Sequence, residues 1–204
     1  MLGRFDEARA LQAQLRAELA DRAARRGLAT ATCRGSFDVE LLAGDPAAAA
    51  EFGEEGCRLY EELGEKGLLS SAAVRLAQAY YALDRLEDAE AWAGRCVELG
   101  TSDDVYNEMV WRQVRAKILA RCGEHAEAER LAREAVAIGE KTGILDPKAD
   151  MYADVAEVLL LTGKPDEAAV ALAQAHEYYE RKGNVVSAKR TRVRLTELHE
   201  SASR

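Results

Sequence analysis

The sequence predicts an all-α protein: a right-handed solenoid of stacked, antiparallel helix hairpins, about ten helices in all. Three observations carry this. The 204 residues contain only 15 Gly and 3 Pro, and Ala, Leu, Glu and Arg dominate, the residues that lose least on entering a helix. Apolar residues recur with spacings of 3, 1 and 3, the period of one helical face. A Gly-centred turn returns five times at nearly constant spacing.

The turns align as "LGRFDEARAL", "AGDPAAAAEF", "LDRLEDAEAW", "CGEHAEAERL" and "TGKPDEAAVA". Their anchors are Gly3, Gly44, Asp84, Gly123 and Gly163, spaced 41, 40, 39 and 40 residues apart. Two residues after each anchor stands a large or ring side chain (Phe5, Pro46, Leu86, His125, Pro165), and three further on an Ala (Ala8, Ala49, Ala89, Ala128, Ala168). A Gly past a helix end takes the left-handed conformation without a Cβ penalty. Pro46 and Pro165 suit the first turn of the next helix, where a missing N–H costs nothing. Asp6, Glu7, Glu87, Asp88, Asp166 and Glu167 face the positive end of that helix's dipole. The Ala is small enough for two helices to approach closely.

Helices follow on both sides of each turn. The first, 5–24, is the second member of a hairpin whose first member is missing. Next come 28–43 and 46–64; the latter is weakened by Gly53 and Gly56, each costing about 1 kcal/mol relative to Ala. The pair 68–82 and 86–99 shows the pattern best, with Ala73, Leu76, Ala77 and Tyr80 facing Ala89, Trp92, Ala93 and Cys96. Helix 103–121 carries Arg112, Arg115, Ala116 and Leu119, and 125–141 answers with Ala128, Leu131, Ala132 and Ala135. Helix 147–162 carries Tyr152, Val155, Ala156 and Leu159, and 165–181 answers with Ala168, Ala171, Leu172 and Ala175. The last, 184–200, reads as a cap, apolar at Val185, Ala188, Leu195 and Leu198 and basic at Lys189, Arg190, Arg192 and Arg194. The expected organisation is one repeat domain over 1–204: an orphan second helix (1–26), hairpins 27–66, 67–101, 102–143 and 144–182, and a capping helix (183–204).

In "LAQAYYALDRLEDAEAWAGRCVEL" the small residue Ala77, the tyrosine Tyr80 one turn later and the interface alanine Ala89 resemble a tetratricopeptide repeat. The period of about 40 exceeds that family's usual 34, and its closing proline is absent. Long repeats of this kind are similar to the C-terminal regions of large bacterial regulators that join an ATPase to a nucleotide cyclase or a LuxR-type DNA-binding domain. The resemblance implies a non-catalytic module that binds a protein or peptide in a concave groove lined by first helices. On this sequence the groove residues would be Arg34 and Asp38, then Gln78 and Tyr81, then Gln113 and Lys117, then Glu157, beside Leu41, Val74, Ala120, Ala153 and Leu160. Tyr81 and Gln78 are the expected anchors. The alternative function is a regulatory or sensory segment of such a larger signalling protein.

Other readings find less support. A net charge of -8 argues against nucleic-acid binding, which needs a basic surface. The charge is uneven: residues 38–65 hold nine acids against one Arg, and the last 24 residues hold seven basic residues against two acids. A salt-sensitive contact of the last helix with an anionic partner, or with the acidic 38–65 surface of another copy, is the rival to its capping role. No apolar run reaches the length of a membrane span. Cys33, Cys57, Cys96 and Cys122 lie far apart and read as free thiols, which fits a cytoplasmic protein. His125 reads as a packing residue in its turn. "HEYYE" at His176 resembles a zinc-binding HExxH but ends in Glu180, and two ligands seldom hold a metal. No cofactor, metal or catalytic residue is expected. The uncovered side of the first helix predicts either that the chain is a fragment or that a second copy covers this end as a homodimer.

Overall fold

The computed structural model describes residues 2–100, 104–141, 143 and 145–202. Ten helices fill them: α1 (Phe5–Asp21), α2 (25–43), α3 (Pro46–Leu63), α4 (Lys66–Ala82), α5 (Leu86–Leu99), α6 (Val105–Arg121), α7 (His125–Gly139), α8 (Leu145–Leu161), α9 (Pro165–Lys182) and α10 (Val185–Ala202). Among the described residues there is no strand. All ten helices stand within three residues of their expected starts.

All five anchors have positive φ: Gly3 77°, Gly44 91°, Asp84 61°, Gly123 86° and Gly163 79°. In four copies the N–H after the anchor donates to the carbonyl four residues before it, as Asp45 to Glu40 at 2.9 Å and Lys164 to Leu159 at 2.8 Å. That bond ties off carbonyls that the helix end leaves unpaired. Asp84 adopts this left-handed geometry without being Gly, which Asp tolerates better than most residues. Asp45 also caps α3, its carboxylate accepting from the Ala48 N–H at 3.0 Å, with Pro46 opening the helix. The interface alanines Ala49, Ala89, Ala128 and Ala168 are fully buried.

The chain divides into two compact units, Arg4–Asn107 and the part that begins at Glu108. In the first, α4 packs on both α3 and α5, and its core gathers Phe37, Cys57, Tyr60, Leu76, Ala77 and Cys96. The close approach of α2 to α3 accounts for Gly56. A Cβ there would stand far inside van der Waals contact distance of Cys33 Cβ and 3.0 Å from Cys33 Cα. Gly53, likewise, lies under Leu76. These glycines weaken the helix locally and let its neighbours close on it. In the second unit, Ala116 and Ala120 pack with Leu131 and Ala132, and Ala156 and Leu159 with Ala168 and Leu172. Leu195 and Leu198 of α10 close the latter cluster.

Three local expectations are corrected. The break after the first helix, expected over 25–27, comes earlier: α1 ends at Asp21, Ala23 takes φ 53°, and Gly27 lies inside α2 where Leu19 crosses it. Within α2 the stretch Ala31–Ser36 widens to π-helical spacing. His125, expected to pack between helices, is exposed at the first position of α7.

Candidate functional site

Counted back from each turn anchor, the expected groove lining falls ten, six and three residues earlier. Arg34 and Gln113 stand at the first place, Asp38, Gln78, Lys117 and Glu157 at the second, and Tyr81 at the third. These spacings keep one stripe of each first helix on one side. In the Arg4–Asn107 unit, Arg34 and Asp38 are exposed on α2, Gln78 of α4 is half-buried, and Tyr81 is 5% exposed. In the second unit, Gln113 (2%) and Lys117 (7%) are buried on α6, while Glu157 on α8 is half-buried. Tyr81, the expected aromatic anchor, thus shows little of its ring. Arg34, Asp38, Gln78 and Glu157 carry the accessible part of the lining.

A second row decides what this lining does. Lys117 donates to Asp154 at 2.6 Å, and Arg75 pairs with Asp38. In both pairs the residue six before one anchor meets the residue nine before the next, 37 positions along the chain. The charges are exchanged between the two: acid then base in the first unit, base then acid in the second. Arg194 lies the same 37 residues beyond Glu157, near enough for its charge to lower the Asp154 carboxyl. This row was legible in the sequence only as opposite charges at a fixed separation, and helical periodicity alone does not flag it.

Lys117 is buried and Asp154 half-buried, and their ionisation shifts pull in different directions. Burial lowers the Lys117 ammonium, but Asp154 and Glu157 outweigh it, and the net shift is upward. Burial raises the Asp154 carboxyl, and Lys117 opposes the rise without cancelling it. The first shift favours the charged pair and the second disfavours it. The short contact, with two further acids acting on Lys117, decides for an ion pair at neutral pH. One turn earlier on α8, Asp150 accepts from the buried Tyr179 hydroxyl at 2.5 Å.

Several acids of the stretch 38–65 are paired where they stand. Glu40 takes Arg9 at 2.7 Å, Glu55 takes Arg16 at 3.8 Å, Glu62 takes Arg25 and Arg58, and Glu65 takes Arg26 at 3.3 Å. Glu54 accepts from the Tyr80 hydroxyl. Five of the nine acids, counting Asp38 with Arg75, thus meet arginines of neighbouring helices. On α10, Ala188 and Thr191 are buried while Lys189, Arg192 and Val193 are exposed; Val185, expected on the apolar stripe, is exposed because the first turn of α10 projects past the cluster that Leu195 and Leu198 join.

His176 and Glu180 do share a helix face, Nε2 standing 3.3 Å from the carboxylate. The other ring nitrogen lies 3.0 Å from the Ala188 carbonyl and 3.2 Å from the Thr191 hydroxyl, so the ring ties α9 to α10. Among the described residues, no three His, Cys, Asp or Glu side chains gather to hold a metal ion. No helix among them is long and apolar enough to cross a membrane. Cys33, Cys57 and Cys96 are buried free thiols, and Cys122 is exposed.

Comparison with known proteins adds the following. Residues 69–101 and 114–142 match the tetratricopeptide-repeat family model. No curated protein sequence matches the chain. Among solved structures, BtubC (BKLC) from P. vanneervenii is similar with a TM-score of 0.61 at 14% identity, over 98% of this chain and 92% of that one. A putative kinesin light chain from Podosopora anserina, with nearly identical TPR-like repeats, gives 0.48 at 16% identity over 93% and 98%. MamA gives 0.45 at 16% identity over 88% and 96%. At 14% identity the likeness to BtubC (BKLC) is one of fold.

Proposed function

We propose that this chain, which carries tetratricopeptide repeats, is a non-catalytic scaffold that binds a protein or peptide along the groove side of its first helices. The observation that carries this is the ladder of ion pairs between successive first helices. Asp38–Arg75 and Lys117–Asp154 fix neighbouring first helices against each other, so the stripe beside them is ordered before a partner arrives. A preordered surface loses less entropy on binding. In this reading 1–204 is a single repeat domain working in the cytoplasm. Arg34, Asp38 and Gln78 supply polar contacts, with the rim of Tyr81 between them; Glu157 does so on α8, and Gln113 and Lys117 form the floor beside it.

A capture experiment with immobilised protein tests the assignment. Gln78→Ala and the Arg34→Ala/Asp38→Ala double variant should each weaken the captured partner by roughly tenfold, the scale of an interface anchor. Tyr81→Ala should weaken it less than its size suggests, because its ring is largely covered. Unchanged affinity in all three variants would remove the groove assignment.

The 40-residue period supports a second reading: a regulatory repeat segment of a larger bacterial signalling protein, such as a nucleotide cyclase or an ATP-dependent transcription regulator. The coding sequence around this chain tests it. An ATPase, cyclase or DNA-binding domain in the same open reading frame is the expected result, and in-frame stop codons on both sides would exclude it.

A further inference from the structure

We infer, building on the groove reading above, that the partner presents an acidic side chain, an Asp or Glu within a peptide segment, and that Arg34 takes its carboxylate. Arg34 is the one arginine of α2 whose charge is left over. Arg25 pairs with Glu62 and Arg26 with Glu65, while Arg34 stands exposed with no acid beside it among the described residues.

The cause lies in how α2 spends its own acids, Asp38 and Glu40. Arg34 and Asp38 are four residues apart, a spacing at which opposite charges ordinarily pair on a helix surface. Asp38 goes instead to Arg75 of α4, and Glu40 to Arg9 of α1 at 2.7 Å. The Arg75 guanidinium also lies 5.4 Å over the Tyr106 ring, so it is held on two sides and keeps its acid.

Nothing on α4 replaces the lost partner. The 37-residue step that joins Asp38 to Arg75 leads from Arg34 to Ser71, which is half-buried and uncharged, its hydroxyl donating to the Gly67 carbonyl at 3.4 Å. Around Gly67 itself there is open space. This stripe therefore keeps one positive charge, with room beside it. The matching stripe of the second unit has no such surplus, because its cation Lys117 is buried against Asp154. Arg34 also lies in the π-helical stretch Ala31–Ser36, a departure from regular helix that recurs at functional sites.

Guanidinium chemistry selects the occupant. The planar fork matches a carboxylate through two parallel N–H···O bonds. A polyanion such as nucleic acid is repelled by the net charge of -8, which a single carboxylate beside Arg34 feels far less.

Random peptides displayed on phage and selected on the immobilised full chain test this, followed by titration of a selected sequence as a synthetic peptide. Selected peptides should share an Asp or Glu at one position. Replacing it by Asn or Gln should weaken binding roughly fivefold, the upper end for an exposed ion pair. Arg34→Gln should weaken the acidic peptide by the same factor and leave its amide analogue unchanged, and Arg34→Lys should recover only part of the loss. Added salt should weaken the acidic peptide more on the wild type than on Arg34→Gln. Selection of no peptide, or of peptides without a shared acid, would overturn the inference. So would an Arg34→Gln effect equal on the acidic peptide and its amide analogue. If Gln78→Ala still weakens those peptides, the groove reading stands without the acidic anchor; indifference to both Arg34 and Gln78 removes the two together.

Discussion

Lys117 on α6 and Asp154 on α8 meet at 2.6 Å, the Lys117 side chain 9% and the Asp154 side chain 17% exposed, at the same two register positions that Asp38 and Arg75 fill with opposite charges. Removing one partner leaves a buried charge alone, which costs about 3–5 kcal/mol. Lys117→Met should therefore lower the unfolding free energy by about that much in denaturant titration. Exchanging the pair, Lys117→Asp with Asp154→Lys, copies the arrangement of the first unit and should recover a large part of the loss.

Gly56 offers a test in which propensity and packing disagree. Gly to Ala inside a helix ordinarily gains up to about 1 kcal/mol. Here the new methyl would meet the Cβ and backbone of Cys33 rather than a flexible side-chain end. Gly56→Ala should destabilise by about 1–3 kcal/mol, as overpacking does. Gly94→Ala, with open space around it, should be neutral or stabilising, and thermal melts of the two variants decide the matter.

The fully buried interface alanines leave no room for a larger residue. Ala128→Leu should cost about 1–3 kcal/mol, while Ala126→Leu, exposed two positions away, should be near neutral. Equal melting temperatures for the two would contradict the close helix approach.

Glu129 gives a pH signature. Its hydrogen bond to Lys164 at 2.6 Å outweighs burial and, with Arg133, holds its carboxyl below the ordinary carboxylate value. A lowered folded pKa means the stabilisation is complete above the unfolded value and disappears as pH falls through the folded one. Unfolding free energy should therefore decline on acidification below the ordinary carboxylate range, and Glu129→Gln should flatten that part of the profile. A wild-type profile identical to that of the Gln variant would show that the contact contributes nothing.

Much of the fold could be read from the chain because its local signals agree. Asp84 shows how far this goes: it stands where four other copies have Gly, and it takes the same left-handed backbone. Ala23 shows the limit. A lone Ala carries no turn signal, so the break falls at Ala23 while Gly27, in the expected gap between the two helices, sits inside a helix beneath Leu19. For the expected groove, periodicity placed Tyr81 and Lys117 on one stripe, but burial depends on the neighbouring helix. The next first helix covers Lys117 with Asp154, and no pattern within one helix contains that fact.

Sequence by itself determined the helices, their turns and the alanines at their contacts, because these follow from backbone conformation and side-chain size within a few residues. Tertiary structure alone decided which charges are spent on neighbours. Residues 37 positions apart become partners only when hairpins stack, and stacking is what turns the acids of 38–65 from an apparent patch into a set of arginine pairs.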